Sequence, residues 1–357
     1  MRRSTLPRTA VLAVLAAIAT CLLFIPAIAT ASPLQTTALW LAHPPTTSTP
    51  QQVTATAEQA GIHTLFVKAA EGSTLEPGYT PTLVSSLAGQ GISVCAWTFV
   101  YGQHPAAEAA AAETAVADGA KCLVVDAEEH YDGRYGAAQA FVRALRHKLG
   151  AGFPIGLAGE ALIALHPKFP YSVFLGPGGF DVDMPQLYWR DFNMTPSAAF
   201  AAAIPANALY GRPIAPVGQL FGGVTSEEVG SFLAEAHIWS PISGFSLFDL
   251  EEAQPAELAA LLAEPVPAIA RTFTFPAVSP GADGDEVVWA QEHLNGAGAR
   301  LPVGGFYGAQ TAKAVARFQG RHHLKADGIL GPSTWRTLLK VRPRIPSWAK
   351  APPQSAR

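Results

Sequence analysis

Two carboxylates spaced two residues apart close an apolar run in Leu123-Val124-Val125-Asp126-Ala127-Glu128-Glu129-His130. Side chains alternate along a strand, so Asp126 and Glu128 are expected to point the same way. Two acids held close repel when both are ionised, and one pKa rises. A carboxylic acid that keeps its proton near neutrality suits general acid catalysis. Glycosidic bond cleavage needs such an acid and a second carboxylate or an equivalent group. The same spacing also fits acidic residues that simply end a strand and begin a loop.

The elements that would position this pair alternate between short apolar runs and helical stretches. Candidate strands are Ala38–Ala42, His63–Lys68, Ile92–Phe99, Lys121–Asp126, Pro154–Ala158, Asp181–Tyr188, Pro213–Gln219 and Ser243–Leu250. Several are continuously apolar, as parallel strands covered by helices must be. Helix candidates include the Ala-rich Pro105–Asp118 and the amphipathic Arg134–Leu149. Thr225–His237 opens with a capping box of Thr225 and Glu228, and Pro255–Ala263 has Pro in its first turn. Eight strands with interleaved helices predict an α/β fold, a (β/α)8 barrel. An open doubly wound sheet fits less well, because no Gly-rich dinucleotide fingerprint follows the first strand. In a barrel, the Asp126–Glu128 pair falls at a strand's C-terminal end, where barrel enzymes keep their sites.

Other strand ends supply partners. Leu65-Phe66-Val67-Lys68-Ala69-Ala70-Glu71-Gly72 closes the second strand, Val94-Cys95-Ala96-Trp97-Thr98-Phe99 forms the third, and Met184-Pro185-Gln186-Leu187-Tyr188-Trp189 closes the sixth. With Asp126-Ala127-Glu128, these segments resemble the glycoside hydrolase family 25 lysozymes, which are N-acetylmuramidases. The likeness spans residues 38–250 and is clearest in the second to fourth strands. It implies that Glu128 is the catalytic acid and that Asp126 steadies the reacting centre or orients the substrate's acetamido group. It also implies that Tyr188 and Trp189 line a sugar subsite, with Trp97 and Glu71 near it. Aromatic faces pack on the apolar faces of sugar rings, and Gln186 can hydrogen-bond hydroxyls.

One departure stands out. The family carries an Asp on its first strand, whereas no Asp or Glu precedes Glu58 here, and Leu39-Trp40-Leu41-Ala42-His43 cannot supply one. The eighth strand adjoins the first in a closed barrel, and Phe245-Ser246-Leu247-Phe248-Asp249-Leu250-Glu251 offers two acids. Asp249 is the expected substitute, being nearer the strand proper.

Residues 281–338 hold a short pattern twice: Gly304-Gly305-Phe306-Tyr307-Gly308-Ala309-Gln310-Thr311, then Asp327-Gly328-Ile329-Leu330-Gly331-Pro332-Ser333-Thr334. Gly allows positive φ in each turn, and each Thr is expected to cap the helix that follows. With an earlier helix through Val287 and Leu294, this predicts a small three-helix module. It closely resembles the peptidoglycan-binding domain of bacterial cell-wall hydrolases. The likeness rests on Gly284-Asp285-Glu286-Val287, Gln291, Leu294, Ala314-Val315-Ala316-Arg317-Phe318-Gln319, Asp327-Gly328-Ile329-Leu330-Gly331 and Thr334-Trp335. Gly304 stands where that family usually has Asp.

The chain has 357 residues and a net charge of −3, so no global field calls for nucleic acid as a partner. The C-terminal module is locally basic, through Arg300, Lys313, Arg317, Arg321, Lys325, Arg336, Lys340, Arg342 and Arg344. Arg2, Arg3 and Arg8 precede an apolar run from Ala10 to Ala29, and Ala29-Thr30-Ala31 ends it, the layout of a secretory signal peptide. A membrane association is expected only if that segment is not cleaved. Cys95 and Cys122 fall on neighbouring predicted strands, and two buried free thiols are the favoured state, since bridging demands suitable Cβ vectors.

The ten His are scattered, with no His-Glu-x-x-His and no zinc-spaced Cys set, so neither a metal nor a cofactor is expected. No Gly-x-Ser-x-Gly follows a strand, which argues against a serine hydrolase.

The expected organisation is a signal peptide over 1–31, a barrel over 37–264, a Pro-rich linker over 265–280, the wall-binding module over 281–341 and a disordered tail over 342–357. The leading expectation is an exported or wall-associated monomer that binds peptidoglycan and cuts its glycan. One alternative is a glycan-binding barrel without catalysis. The other is an enzyme that uses Asp126, Glu128 and Asp249 on a different polysaccharide.

Overall fold

The structure, a computed structural model, describes residues 32–44, 49–263 and 269–348. The expected signal peptide therefore lies outside the described residues. Among those described, no helix is long and apolar enough to cross a membrane.

The barrel strands are β1 (Thr37–Leu41), β2 (Thr64–Glu71), β4 (Ser93–Val100), β5 (Leu123–Ala127), β6 (Ile155–Glu160), β7 (Val182–Gln186), β8 (Val217–Gln219) and β9 (Phe245–Phe248). A two-residue strand, β3 (Thr74–Leu75), hairpins antiparallel onto β2 and was not expected. The eight long strands are parallel in chain order, and β1 pairs with both β2 and β9, closing the (β/α)8 barrel.

Helices α1 (Pro50–Gln59), α2 (Pro81–Gly89), α3 (Pro105–Ala117), α4 (Tyr135–Leu149), α5 (Tyr171–Phe174), α6 (Pro196–Asn207), α7 (Ser226–Ile238) and α8 (Pro255–Ala260) accompany the barrel strands. The capping box of Thr225 and Glu228 forms as the sequence signals. A second box, Thr49 with Gln52, opens α1, a helix that the apolar pattern did not reveal.

One parity rule organises the barrel. Along each strand alternate residues face the lumen, where Trp40, Phe66, Cys95, Trp97, Cys122, Val124, Ala158, Val182, Met184 and Val217 form one buried cluster. Their neighbours along the chain, such as Leu39, Leu65, Val67, Val125 and Leu157, pack outward under the helices. The lumen is a filled core, as expected of this fold. Parity also settles the cysteines. Cys95 and Cys122 are bonded to each other, with Cα atoms 4.6 Å apart, rather than free. Both face inward from adjacent positions, so their Cβ vectors meet.

The C-terminal module comprises α9 (Asp285–Gly296), α10 (Ala309–Arg321) and α11 (Pro332–Leu338). Its duplication is structural as well as sequential. Gln291 Nε2 donates to Thr311 Oγ1 while its Oε1 accepts from the Gly304 and Gly305 amides. Gln319 Nε2 likewise donates to Thr334 Oγ1 while its Oε1 accepts from Gly328. Gly305 and Gly328 have φ of 82° and 73°, the left-handed turn that glycine permits. The two Thr residues are not N-caps, because Gly308 and Gly331 hold those positions. Each Thr sits one turn inside its helix as a buried acceptor for a glutamine.

The module is not carried on a free spacer. Ser172 donates to Asp285 through its amide (2.8 Å) and its hydroxyl (2.6 Å), and Trp289 Nε1 donates to Leu209 O at 2.9 Å. Lys168 pairs with Asp283 at 2.8 Å. Within the expected linker, Arg271 pairs with Glu235 of α7 at 3.0 Å. The expected disordered tail is also docked in its described part. Trp348 stacks on Tyr135 with ring centroids 4.5 Å apart, and Gln139 of α4 donates to Pro346 O and accepts from the Trp348 amide. Apolar and amide contacts of this kind are what composition alone obscures in a Pro-rich segment.

Candidate active site

The even-numbered face of β5 climbs from Cys122 and Val124 to Asp126 and then to Glu128, which follows the strand in extended conformation. The two carboxylates therefore project together into the barrel mouth, as the alternation requires. Asp126 is 8% exposed and Glu128 is half-buried. Gln186, at the end of β7, donates from Nε2 to Asp126 Oδ1 at 2.7 Å. Strands β5 and β7 are separated by β6, so this bond spans a layer built from alternate strands.

Burial pushes Asp126 well above the ordinary carboxylate range, and the nearby Glu128 charge adds to the rise. Gln186 and Lys68 oppose it by favouring the ionised form. Glu128 also rises, chiefly through burial, with Glu160 and Glu129 contributing and Gln186 opposing. The pair thus retains protons where free carboxylates would be ionised.

Tyr188, two residues beyond Gln186, shares its parity. Burial raises its phenol, and Asp126, Glu128 and Asp249 all add to the rise, which places Tyr188 as the common neighbour of three acids. Phe221 meets it edge-on at 5.1 Å and Phe248 lies 6.2 Å away. Below, Trp97 packs against Trp40, with ring centroids 5.4 Å apart, and the Lys68 ammonium lies 5.2 Å from the Trp97 ring. Lys68 pairs with Glu71 at 2.7 Å, and the Tyr101 hydroxyl donates to Glu71. Burial works against the Glu71 charge, but Lys68 and Tyr101 outweigh it and hold this carboxyl below its usual value. Glu71 is therefore a fixed anion that neutralises Lys68 rather than a proton donor.

Trp189 does not line this mouth. It is fully buried and packs against Phe232 of α7, in the layer between strands and helices. Both residues lie just beyond β7, where the chain turns, and only Tyr188 stays beside the acids.

The two acids after β9 divide their roles. Asp249 is 5% exposed and accepts from the Glu252 amide at 2.9 Å. Glu251 accepts from the backbone amides of Ala42 (3.2 Å) and His43 (2.6 Å). A carboxylate thus does reach the end of β1, but it comes from Glu251, with both oxygens engaged by backbone. Asp249, the expected substitute, stands beside Tyr188 instead. Glu160, at the end of β6, was missed in the sequence. Burial raises its pKa, and its charge acts on Glu128. Its alternation with lumen-facing Ala158 and its strand-end position were the available signal.

Among the described residues, no group of three or more His, Cys, Asp or Glu side chains is arranged to hold a metal ion. A well-formed cavity of about 420 Å³ lies not over the acids but between barrel and module, lined by Leu162, Ile163, Ala202, Pro276, Glu286 and Val287. Beside the acid pair stands Tyr188, with Phe221 and Phe248 packed against it.

Comparison with known proteins resolves the two parts unequally. Residues 283–338 match the family model described as "Putative peptidoglycan binding domain". The chain is 37% identical over 68 residues to the zinc D-Ala-D-Ala carboxypeptidase of Streptomyces albus G, a match that covers 18% of this chain and 27% of that protein. The crystal structure of a Burkholderia AP3 phage endolysin is 43% identical over 20% of this chain and 27% of its own, with a TM-score of 0.18. The chain thus spans only about a quarter of the length of either relative. Over the barrel, a GH18 chitinase from Pseudoalteromonas aurantia aligns with 63% of this chain and 97% of its own, at 10% identity and a TM-score of 0.44. That score carries no argument about activity, and none of these similarities carries the family 25 likeness expected from the strand ends. What the matches do establish is that residues 283–338 are a peptidoglycan-binding domain, borne by a chain whose larger part is a (β/α)8 barrel.

Proposed function

We propose that this protein acts outside the cytoplasm as a peptidoglycan-binding glycoside hydrolase of muramidase (lysozyme)-like type. The observation that carries this reading is the convergence of Asp126 and Glu128 on one lumen-facing edge, with Gln186 fixing Asp126. Glu128 is the more accessible of the two and its pKa is raised, which suits it to donate a proton to the leaving glycosidic oxygen. Water then adds to the anomeric carbon, and its proton returns to the Glu128 carboxylate. Asp126 is more enclosed and is held by Gln186. It orients the N-acetyl group of the sugar and balances charge at the reacting carbon. Tyr188 and Phe248 offer ring faces to the sugar. The wall-binding module keeps the barrel on an insoluble substrate and raises its local concentration.

One observation favours a second reading, in which the barrel holds glycan without cutting it. The only carboxylate at the end of β1 among the described residues, Glu251, has its oxygens occupied by two backbone amides. Digestion of purified peptidoglycan, followed by borohydride reduction and mass spectrometry, separates the readings. Reduced N-acetylmuramic acid at new chain ends supports the muramidase. Reduced N-acetylglucosamine ends would replace it with a glucosaminidase, and an unchanged glycan would support the non-catalytic barrel.

A further inference from the structure

The module presents a second charged feature. A groove of about 730 Å³ runs between the turn at Gly298–Leu301 and one face of α10, lined by Arg300, Gln310, Lys313, Arg317 and Arg321. All four cations are exposed, and none has an acidic partner among the described residues. No carboxylate lines the groove. Lys313, Arg317 and Arg321 follow one another at four-residue intervals, which places successive charges about 6 Å apart along one helix face. Ala299, Leu301 and Ala314 supply the apolar part of its lining.

We propose that this groove binds a phosphodiester polymer of the cell envelope, one whose backbone carries a phosphate every few carbon atoms. Such a chain sets one charge against each successive turn of α10. Guanidinium groups, which make up three of the four cations, match phosphate oxygens in a two-pronged geometry. A flexible single chain suits this lining, which lacks the exposed aromatic platforms that bases of single-stranded nucleic acid stack upon. This inference rests on the wall-binding reading of the module and adds a second ligand chemistry to it. The groove is separate from the glutamine-clamped Gly turns that define the family repeat.

The test uses the full chain in co-sedimentation with three solids or competitors. These are cell walls bearing poly(glycerol phosphate), the same walls after chemical removal of that polymer, and a DNA duplex of equal phosphate concentration as competitor. The proposal expects at least tenfold stronger retention on the phosphate-bearing walls at low salt. It expects the double variant Arg317→Glu/Arg321→Glu to lose that gain while matching the parent on stripped walls, which also shows that the variant folds. The logarithmic salt dependence should flatten by about 1.4 to 1.8 in the variant, as two phosphate contacts are lost. Equal retention of parent and variant on both wall types overturns the proposal but leaves wall binding standing. Failure of the parent to bind stripped walls overturns the wall-binding reading itself. Displacement by DNA at concentrations where glycerol-phosphate oligomers fail would assign the groove to nucleic acid and overturn the proposal.

Discussion

Gln186 Nε2 and Asp126 Oδ1 lie 2.7 Å apart, joined by a hydrogen bond that reaches from β7 over β6 to β5. This contact opposes the rise in the Asp126 pKa that burial drives, because an N–H donor favours the ionised form. Replacing Gln186 with Leu removes the donor and keeps the bulk. The Asp126–Glu128 pair should then titrate at still higher pH, and the alkaline limb of the pH–rate profile should move upward. NMR titration of the carboxyl groups checks the same shift without relying on turnover.

The pH dependence of activity has a definite sign. The donor form of Glu128 is protonated, and its pKa lies above the ordinary 4.5. Activity should therefore persist above the pH at which a free glutamate has ionised, and decline as pH rises through the elevated value. A profile whose alkaline limb coincides with 4.5 would show that burial does not act on Glu128.

Tyr188 and Trp189 are neighbours in sequence with opposite fates. Tyr188→Ala should weaken glycan binding and turnover with little change in thermal unfolding. Trp189→Ala empties a fully buried site and should destabilise the fold by about 3–5 kcal/mol. Chemical denaturation of both variants separates the two effects.

Much of this arrangement was legible in the sequence. All eight barrel strands follow from apolar runs, and the shared face of Asp126 and Glu128 follows from their spacing. What failed did so for identifiable reasons. The chemical type of Trp189 points to a sugar subsite, but the turn after β7 buries it against Phe232. How Asp249 and Glu251 share the space after β9 depends on a turn that spacing does not show: Glu251 reaches the β1 amides while Asp249 stands beside Tyr188. Free thiols are the expectation for Cys95 and Cys122 because sequence does not show strand register, and the structure bonds them instead. The docking of residues 342–348 was hidden because Trp348 finds its partner, Tyr135, more than two hundred positions away.

The seam between barrel and module carries its own titration. Burial raises Asp285 from 3.8 to about 6, against the two hydrogen bonds from Ser172, and it raises Glu286 from 4.5 to about 7. Folded-state values above the unfolded ones give stability that is complete below about pH 4 and lost as pH rises through 6 to 7. A shift of this size at the fully buried Asp285 is worth on the order of 3 kcal/mol. Thermal melts should show a falling midpoint between pH 4 and 7, and Asp285→Asn should flatten the Asp285 part of that fall. A midpoint that rises over this range in the parent would mean that the hydrogen bonds outweigh burial.

The central claim is that Glu128 delivers the proton that breaks a glycan bond. Release of new reducing ends from purified peptidoglycan, measured for the parent and for Glu128→Gln, tests it most directly. The account predicts steady release by the parent and at least a hundredfold less by the variant, with both sedimenting equally on the wall. Equal release from the two proteins, or none from either, would contradict it.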